Sequence, residues 1–154
     1  MDEIPMDEVN EIHLLPEDLQ RKSLAEREIV LMSDDTRTAI DILERAGWAI
    51  LGWEPWLKLP DGTHMHPVIS GDFPREALED WPTYVHRSAQ LCRDMLEEEQ
   101  REWDQGTFLP PDFPPYWREK IPSMILYFCL FTVDSNRYSQ LKVTTRFVKI
   151  AKKA

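Results

Sequence analysis

The sequence predicts an α+β domain: a mainly antiparallel sheet of four or five strands, built from two hairpins, with about three helices packed on it. Two segments, about 48–69 and 122–150, each contain two apolar stretches separated by turn residues. The segments around them have apolar residues at helical spacing. The chain of 154 residues suffices for one domain with a real core. We interpret residues 1–14 as an acidic N-terminal arm and residues 15–154 as a single domain.

Two helices are predicted before the first hairpin. Pro16 is followed by two acids, a pattern typical of a helix start, and indicates a helix over about 16–31. Ser33–Asp35 is a second start signal, and apolar residues then recur at helical spacing over about 34–46. Gly47 suits the position just after the end of that helix.

The first hairpin is predicted from its turn. The apolar run Trp48–Leu51 indicates a buried strand, and Gly52 indicates a bulge. Residues 59–63, L-P-D-G-T, favour a three-residue loop in which Gly62 takes the left-handed conformation. That loop length predicts three cross-strand pairs: Leu57 with Met65, Lys58 with His64 and Trp56 with His66.

The same register predicts one unusual face. Because side chains alternate along a strand, Trp56, Lys58, His64 and His66 share the face opposite the leucines. An exposed tryptophan beside polar groups is typical of protein-binding surfaces, and it also suits stacking on a sugar or base. The alternative is that a second layer of the fold covers this face. We take these four residues as the candidate partner- or ligand-binding site.

Three more segments complete the prediction. An amphipathic helix spans about 81–104, with Pro82 in its first turn. The segment of about 105–122, rich in proline and aromatics, is predicted to be neither helix nor central strand. We interpret it as an extended crossing segment packed on the core by its aromatic side chains, with a recognition segment for another protein as the alternative. The aromatic residues that we expect to pack are Phe108, Phe113, Tyr116 and Trp117.

Residues 121–133 and 138–150 predict the second hairpin. A turn at Asp134–Asn136 would place the apolar residues of the two stretches opposite one another, which favours paired strands. A helix over 117–133 is the alternative.

Candidate chemistry is sparse. The sequence has no G-x-S-x-G, no Gly-rich phosphate loop and no H-E-x-x-H. His64 and His66 are weak metal candidates, because their spacing specifies no third ligand. Cys92 and Cys129 lie among apolar residues and are interpreted as buried thiols rather than a disulfide. We therefore predict no cofactor, and a non-enzymatic role over an enzymatic one.

The charge distribution indicates the class of partner. The net charge is −10, yet no acid follows Asp134 while six basic residues do, and the simplest interpretation of this asymmetry is that acidic and basic regions attract each other within the fold. An acidic chain disfavours nucleic-acid binding through phosphates and favours a protein partner with a basic surface. With no signal-peptide pattern and no apolar run of spanning length, we expect a cytoplasmic location without membrane contact.

These observations favour a small acidic, tryptophan-rich interaction protein, of the kind that includes immunity and anti-defence inhibitors. A small-molecule or carbohydrate-binding domain that uses the Trp56/His66 face is the first alternative. A metal-assisted hydrolase is the second.

Overall fold

A computed structural model describes residues 10–67, 69–108 and 114–141. Over these residues the chain forms a five-stranded antiparallel sheet with four α-helices packed against it, which confirms the predicted α+β class. The strands are β1 (Ile29–Leu31), β2 (Ala49–Lys58), β3 (His64–Met65), β4 (Gly71–Asp72) and β5 (Ile125–Val133). The α-helices are α1 (Glu17–Lys22), α2 (Ser33–Arg45), α3 (Trp81–Gln105) and α4 (Ser135–Leu141); 3-10 helices span Glu11–Leu14 and Pro115–Ser123.

The sheet is built around β2 and β5, which pair antiparallel from one end of β2 to the other. The strand order is β1-β5-β2-β3, and β4 also pairs with β2. A register shift between Ile50 and Gly52 confirms the predicted bulge. Glycine is required at this bulge, because a methyl group on Gly52 would collide with the carbonyl oxygen of Gly71 in β4.

The main core lies between one face of the sheet and the helices α2 and α3. Both helices were predicted within one residue of their observed ends, and both present small or branched apolar residues to the sheet. From the sheet, Trp53 and Phe128 meet edge to face with ring centroids 5.7 Å apart, and the Trp53 indole N–H donates to Met95 Sδ at 3.4 Å. Within the described ranges, no helix is both long and apolar enough to cross a bilayer.

The helix predicted over 16–31 is wrong beyond Lys22. The chain bends after α1, and Ile29–Leu31 becomes the edge strand β1, fully buried and paired with β5. Two β-branched residues out of three suit a strand, and burial against β5 outweighs the local helical pattern.

The second predicted hairpin differs from the structure at its turn and at residues 138–141. Strand β5 is confirmed, and the helix proposed as an alternative over 117–133 is excluded there. Instead of turning, however, Asp134 caps α4: its carboxylate accepts the Arg137 N–H at 2.9 Å. Asp, Ser and Asn favour helix starts as well as turns, and tertiary packing of Tyr138 on Trp81 favours the helix. Residues 142–150 of the predicted strand lie outside the described residues.

The crossing segment was predicted wrongly in its second half. Residues 115–123 form a 3-10 helix; Pro115 stands at its start, where no N–H is needed, and the fixed φ of proline suits this geometry. Phe108 packs on the core as predicted and Trp117 packs partly, but Tyr116 is 67% exposed. Phe113 lies outside the described residues.

A rigid turn precedes α3. The Glu79 N–H donates to the Glu76 carbonyl at 3.2 Å, and the Glu79 carboxylate accepts two hydrogen bonds from the Arg87 guanidinium, both at 2.7 Å. The Glu76 N–H also donates to this carboxylate, and Arg75 Nε donates to the Glu79 carbonyl. Pairing with Arg87 lowers the pKa of Glu79 from 4.5 to about 2. This turn is thus tied to α3 by a charge-assisted network.

We expect the Glu79→Gln substitution to destabilise the protein at neutral pH but not near pH 2. Because the pKa of Glu79 falls from 4.5 to about 2 on folding, its contribution is complete above pH 4.5 and is lost as the pH falls toward 2. Urea unfolding of wild type and variant from pH 7 to 2 measures this. The two stability curves should converge at the acid end, and Glu26→Gln is the exposed control. A constant gap across the range would contradict the assignment.

Candidate functional site

The first hairpin has the predicted geometry. Leu57 pairs with Met65 and Lys58 pairs with His64, and the Leu59 N–H donates to the Thr63 carbonyl at 2.8 Å. Gly62 has φ +92°, the left-handed conformation that the loop requires. Asp61 accepts the Thr63 hydroxyl at 2.7 Å and the Thr63 N–H at 3.0 Å, and the hydroxyl contact is the main cause of its lowered pKa.

The four predicted site residues come together on one face of this hairpin. The Trp56 indole stacks on the His66 ring at 4.2 Å between centroids, and the His64 ring lies 5.1 Å from the indole. The indole N–H donates to a Glu54 carboxylate oxygen at 3.2 Å. Both imidazoles are exposed, and Lys58 is half-buried beside them. The polar side chains therefore form the outer surface.

Trp56 itself is covered, although the imidazoles on the same face are exposed. Only 8% of its surface is exposed, because the indole belongs to a buried cluster on the second face of the sheet. Leu24 and Ala25, from the bend after α1, pack against that cluster and form part of a second layer. The buried members are Val30, Trp56, Tyr127 and Cys129.

The thiols are placed for packing rather than reaction. Both cysteines are free and buried, as predicted. Burial raises the pKa of Cys92 to about 12. The pKa of Cys129 is also raised by burial and by the nearby charge of Glu28, whose carboxylate lies 3.5 Å from the sulfur. Both thiols stay protonated near neutral pH, so neither is poised as a nucleophile.

The histidines do not gather a set of metal ligands within the described part of the chain. Their rings lie almost parallel with centroids 6.1 Å apart. Among the described residues, no group of three or more His, Cys, Asp or Glu side chains is arranged to hold a metal ion. The third ligand that the sequence left unspecified is therefore not supplied by residues 10–67, 69–108 or 114–141.

A second candidate site, which the sequence analysis missed, lies between the start of α2 and the end of α3. These two helix ends line an open pocket of about 450 Å³, which we call the acidic pocket. One wall is the Met32 side chain, which is 47% exposed. Three carboxylates stand around it. The pocket is lined by Met32, Ser33, Asp34, Asp35, Gln100 and Asp104.

The charges along α3 run against its helix dipole. The last turn has no basic residue, although cations are the groups that a helix C-terminus favours. From Asp94 to the end of the helix the chain has six acids and only Arg101 as a base. Burial and the neighbouring charge of Glu102 raise the pKa of Glu99, as expected where carboxylates crowd. The acidic residues at this end of α3 therefore lower the stability of the isolated helix.

Local sequence signals for the acidic pocket were visible but separate. Asp34 and Asp35 were interpreted as a helix start, which they are, and the acids of α3 were not assigned to a site. What the sequence did not give is the packing of α2 on α3, which brings these two stretches together across about 65 residues. The Lys22 amine lies 3.6 Å from an Asp35 carboxylate oxygen, so this carboxylate already has a cationic partner.

Comparisons with known proteins add no relative. No protein-family model matches the chain, and neither the curated proteins nor the solved structures contain a significant match.

We expect Trp56→Ala to cost about 3–5 kcal/mol of unfolding free energy, because it removes a large buried side chain and leaves a cavity. His64→Ala, on the exposed surface of the same hairpin, should change stability by no more than about 0.5 kcal/mol. Urea unfolding with far-UV circular dichroism measures both. A loss below about 1 kcal/mol for Trp56→Ala would show that the indole is not part of a packed second layer.

Proposed function

We propose that this protein is a small acidic interaction protein that binds the basic surface of a partner protein. We further propose that the acidic pocket contacts that surface. Immunity proteins and anti-defence inhibitors are the class within which such a role falls. The proposal is supported above all by the arrangement of the acidic pocket: carboxylates from two helices around an exposed methionine, at the end of α3 where acids disfavour the helix itself.

The chemistry of this pocket suits a lysine or arginine side chain. The aliphatic stem of such a residue can pack against Met32 while its charged head pairs with the carboxylate of Asp34 or Asp104, since Asp35 is already paired with Lys22. An incoming cation would also offset the unfavourable charge at the C-terminus of α3. The pocket would then be more stable with its partner than without it.

The net charge of −10 supports the same proposal at longer range. An acidic surface steers a basic protein toward it and raises the association rate, an effect that salt screens. This steering does not require a deep pocket, only a field of one sign near the contact.

The alternative of a carbohydrate or small-molecule site on the hairpin has weaker support. Stacking on a sugar or base needs an open aromatic face, but the Trp56 indole is stacked on His66, is packed in a cluster with its cross-strand neighbour Tyr127, and is only 8% exposed.

The test is a binding measurement on matched variants. The protein is used to recover partners from native lysate at low and at high salt, and each recovered protein is then purified and titrated against it. We expect the double variant Asp34→Asn/Asp104→Asn to raise Kd about tenfold, since each exposed ion pair contributes about 0.2–1 kcal/mol and 1.4 kcal/mol is a factor of ten. The Kd of wild type should also rise steeply with salt.

The control is Glu26→Gln/Glu119→Gln, which removes the same charge from exposed positions outside the acidic pocket. It should weaken binding far less than the pocket variant. If the two variants raised Kd equally, the acidic pocket would contribute only through the overall negative charge and not as a contact site. A Kd that changed neither with salt nor with these substitutions would contradict the proposal.

A further inference from the structure

Leu78 combines two features that the isolated fold does not favour. Its φ is +65°, and it is the one non-glycine residue with a positive φ in the described part of the chain. It occupies the third position of the turn Glu76–Glu79, where a positive φ is ordinarily supplied by glycine or asparagine. Its side chain is also fully exposed to solvent.

The surrounding contacts hold this leucine in place. The Glu79 carboxylate ties the turn to Arg87 on α3, and Arg87 also donates to the Pro74 carbonyl at 2.8 Å. Glu76 is fixed on the other side of Leu78 by its N–H bond to the same carboxylate. A side chain presented on a preorganised loop loses little freedom when it binds.

We propose that Leu78 is an anchor residue, which inserts into an apolar pocket on another protein. A backbone outlier that neighbouring contacts enforce is a mark of a functional position, and here the enforced conformation directs an apolar side chain outward. The proposal does not rest on the proposed function, because this turn precedes the N-terminus of α3 and the acidic pocket lies at its C-terminus.

The charges beside Leu78 define the chemistry of that partner. Glu76 and Asp80, on either side of the turn, are exposed. The neighbouring cations are engaged: Arg87 pairs with Glu79 and also lies 3.5 Å from a Glu76 carboxylate oxygen, and the Arg75 guanidinium lies 5.5 Å from the ring centroids of Trp81 and Tyr138. Three carboxylates, those of Glu76, Glu79 and Asp80, stand against the two guanidiniums of Arg75 and Arg87, so the surroundings of the anchor are acidic on balance. The partner pocket that fits it is therefore apolar inside and lined at its mouth by lysine or arginine.

A photo-crosslinking experiment identifies the partner. The probe is p-benzoylphenylalanine, placed in the full chain at position 78 or, as the control, at Leu91, an exposed apolar position in the middle of α3. Both proteins are irradiated in cells of the source organism. We expect an adduct with one protein from position 78 that position 91 does not give, mapped by mass spectrometry to an apolar site flanked by basic residues. No adduct specific to position 78, or adducts only with other copies of this chain, would overturn the proposal.

The Kd of the purified partner for each variant then tests the proposal. Leu78→Asn keeps a residue that tolerates the left-handed conformation, so the turn is preserved while the apolar group is lost. We expect its Kd to be at least tenfold above wild type, while Leu91→Ala binds as wild type does. Equal Kd values for Leu78→Asn and wild type would overturn the proposal. Adding Asp34→Asn/Asp104→Asn to the series separates the two sites, because each set of variants can weaken binding without the other.

Discussion

The pairing of β2 with β5 is the interaction on which the rest of the structure depends. These strands are joined along nearly the whole length of both, and every other strand is added to one of them: β1 to β5, and β3 and β4 to β2. Alternate residues of β5 supply both layers, with Phe128 in the helix-facing core and Cys129 in the cluster around Trp56. If this pair separated, the helices and the hairpin would lose their common support.

The long helix α3 packs on the paired strands and has one of the two candidate contact surfaces at each of its ends. Its apolar stripe packs on β2, which fixes the helix and so positions both of its ends. The turn held by Arg87 precedes its first residue, and Asp104 in its last turn faces the start of α2. Each end has a feature that does not serve the isolated fold, an outward leucine in one case and carboxylates against the dipole in the other.

Prediction from sequence succeeded where the decisive signal is local. The hairpin register followed from turn chemistry at 59–63, and α2 and α3 followed from caps and periodicity. It failed where tertiary contacts decide the structure. Ile29–Leu31 forms a strand because it pairs with β5. Asp134 is compatible with a turn or a helix, and the packing of Tyr138 on Trp81 favours the helix. The register correctly grouped Trp56 with the histidines on one face of the hairpin. The burial of Trp56, however, depends in part on the bend after α1, which the sequence did not predict. The acidic pocket joins distant segments, and no local pattern marks such a meeting.

Hydrogen exchange under native conditions tests the central role of β2 and β5 most directly. The hydrogen-bonded amides of these two strands should exchange only through global unfolding, so their opening free energy should equal the free energy of unfolding measured in urea. The amides of α4 and of the β3 hairpin should open at lower cost, since they are attached at the margins of this pair. If the central amides of β5 exchanged while α2 and α3 kept their protection, the helices would be stable without the strand pair, and the account would be contradicted.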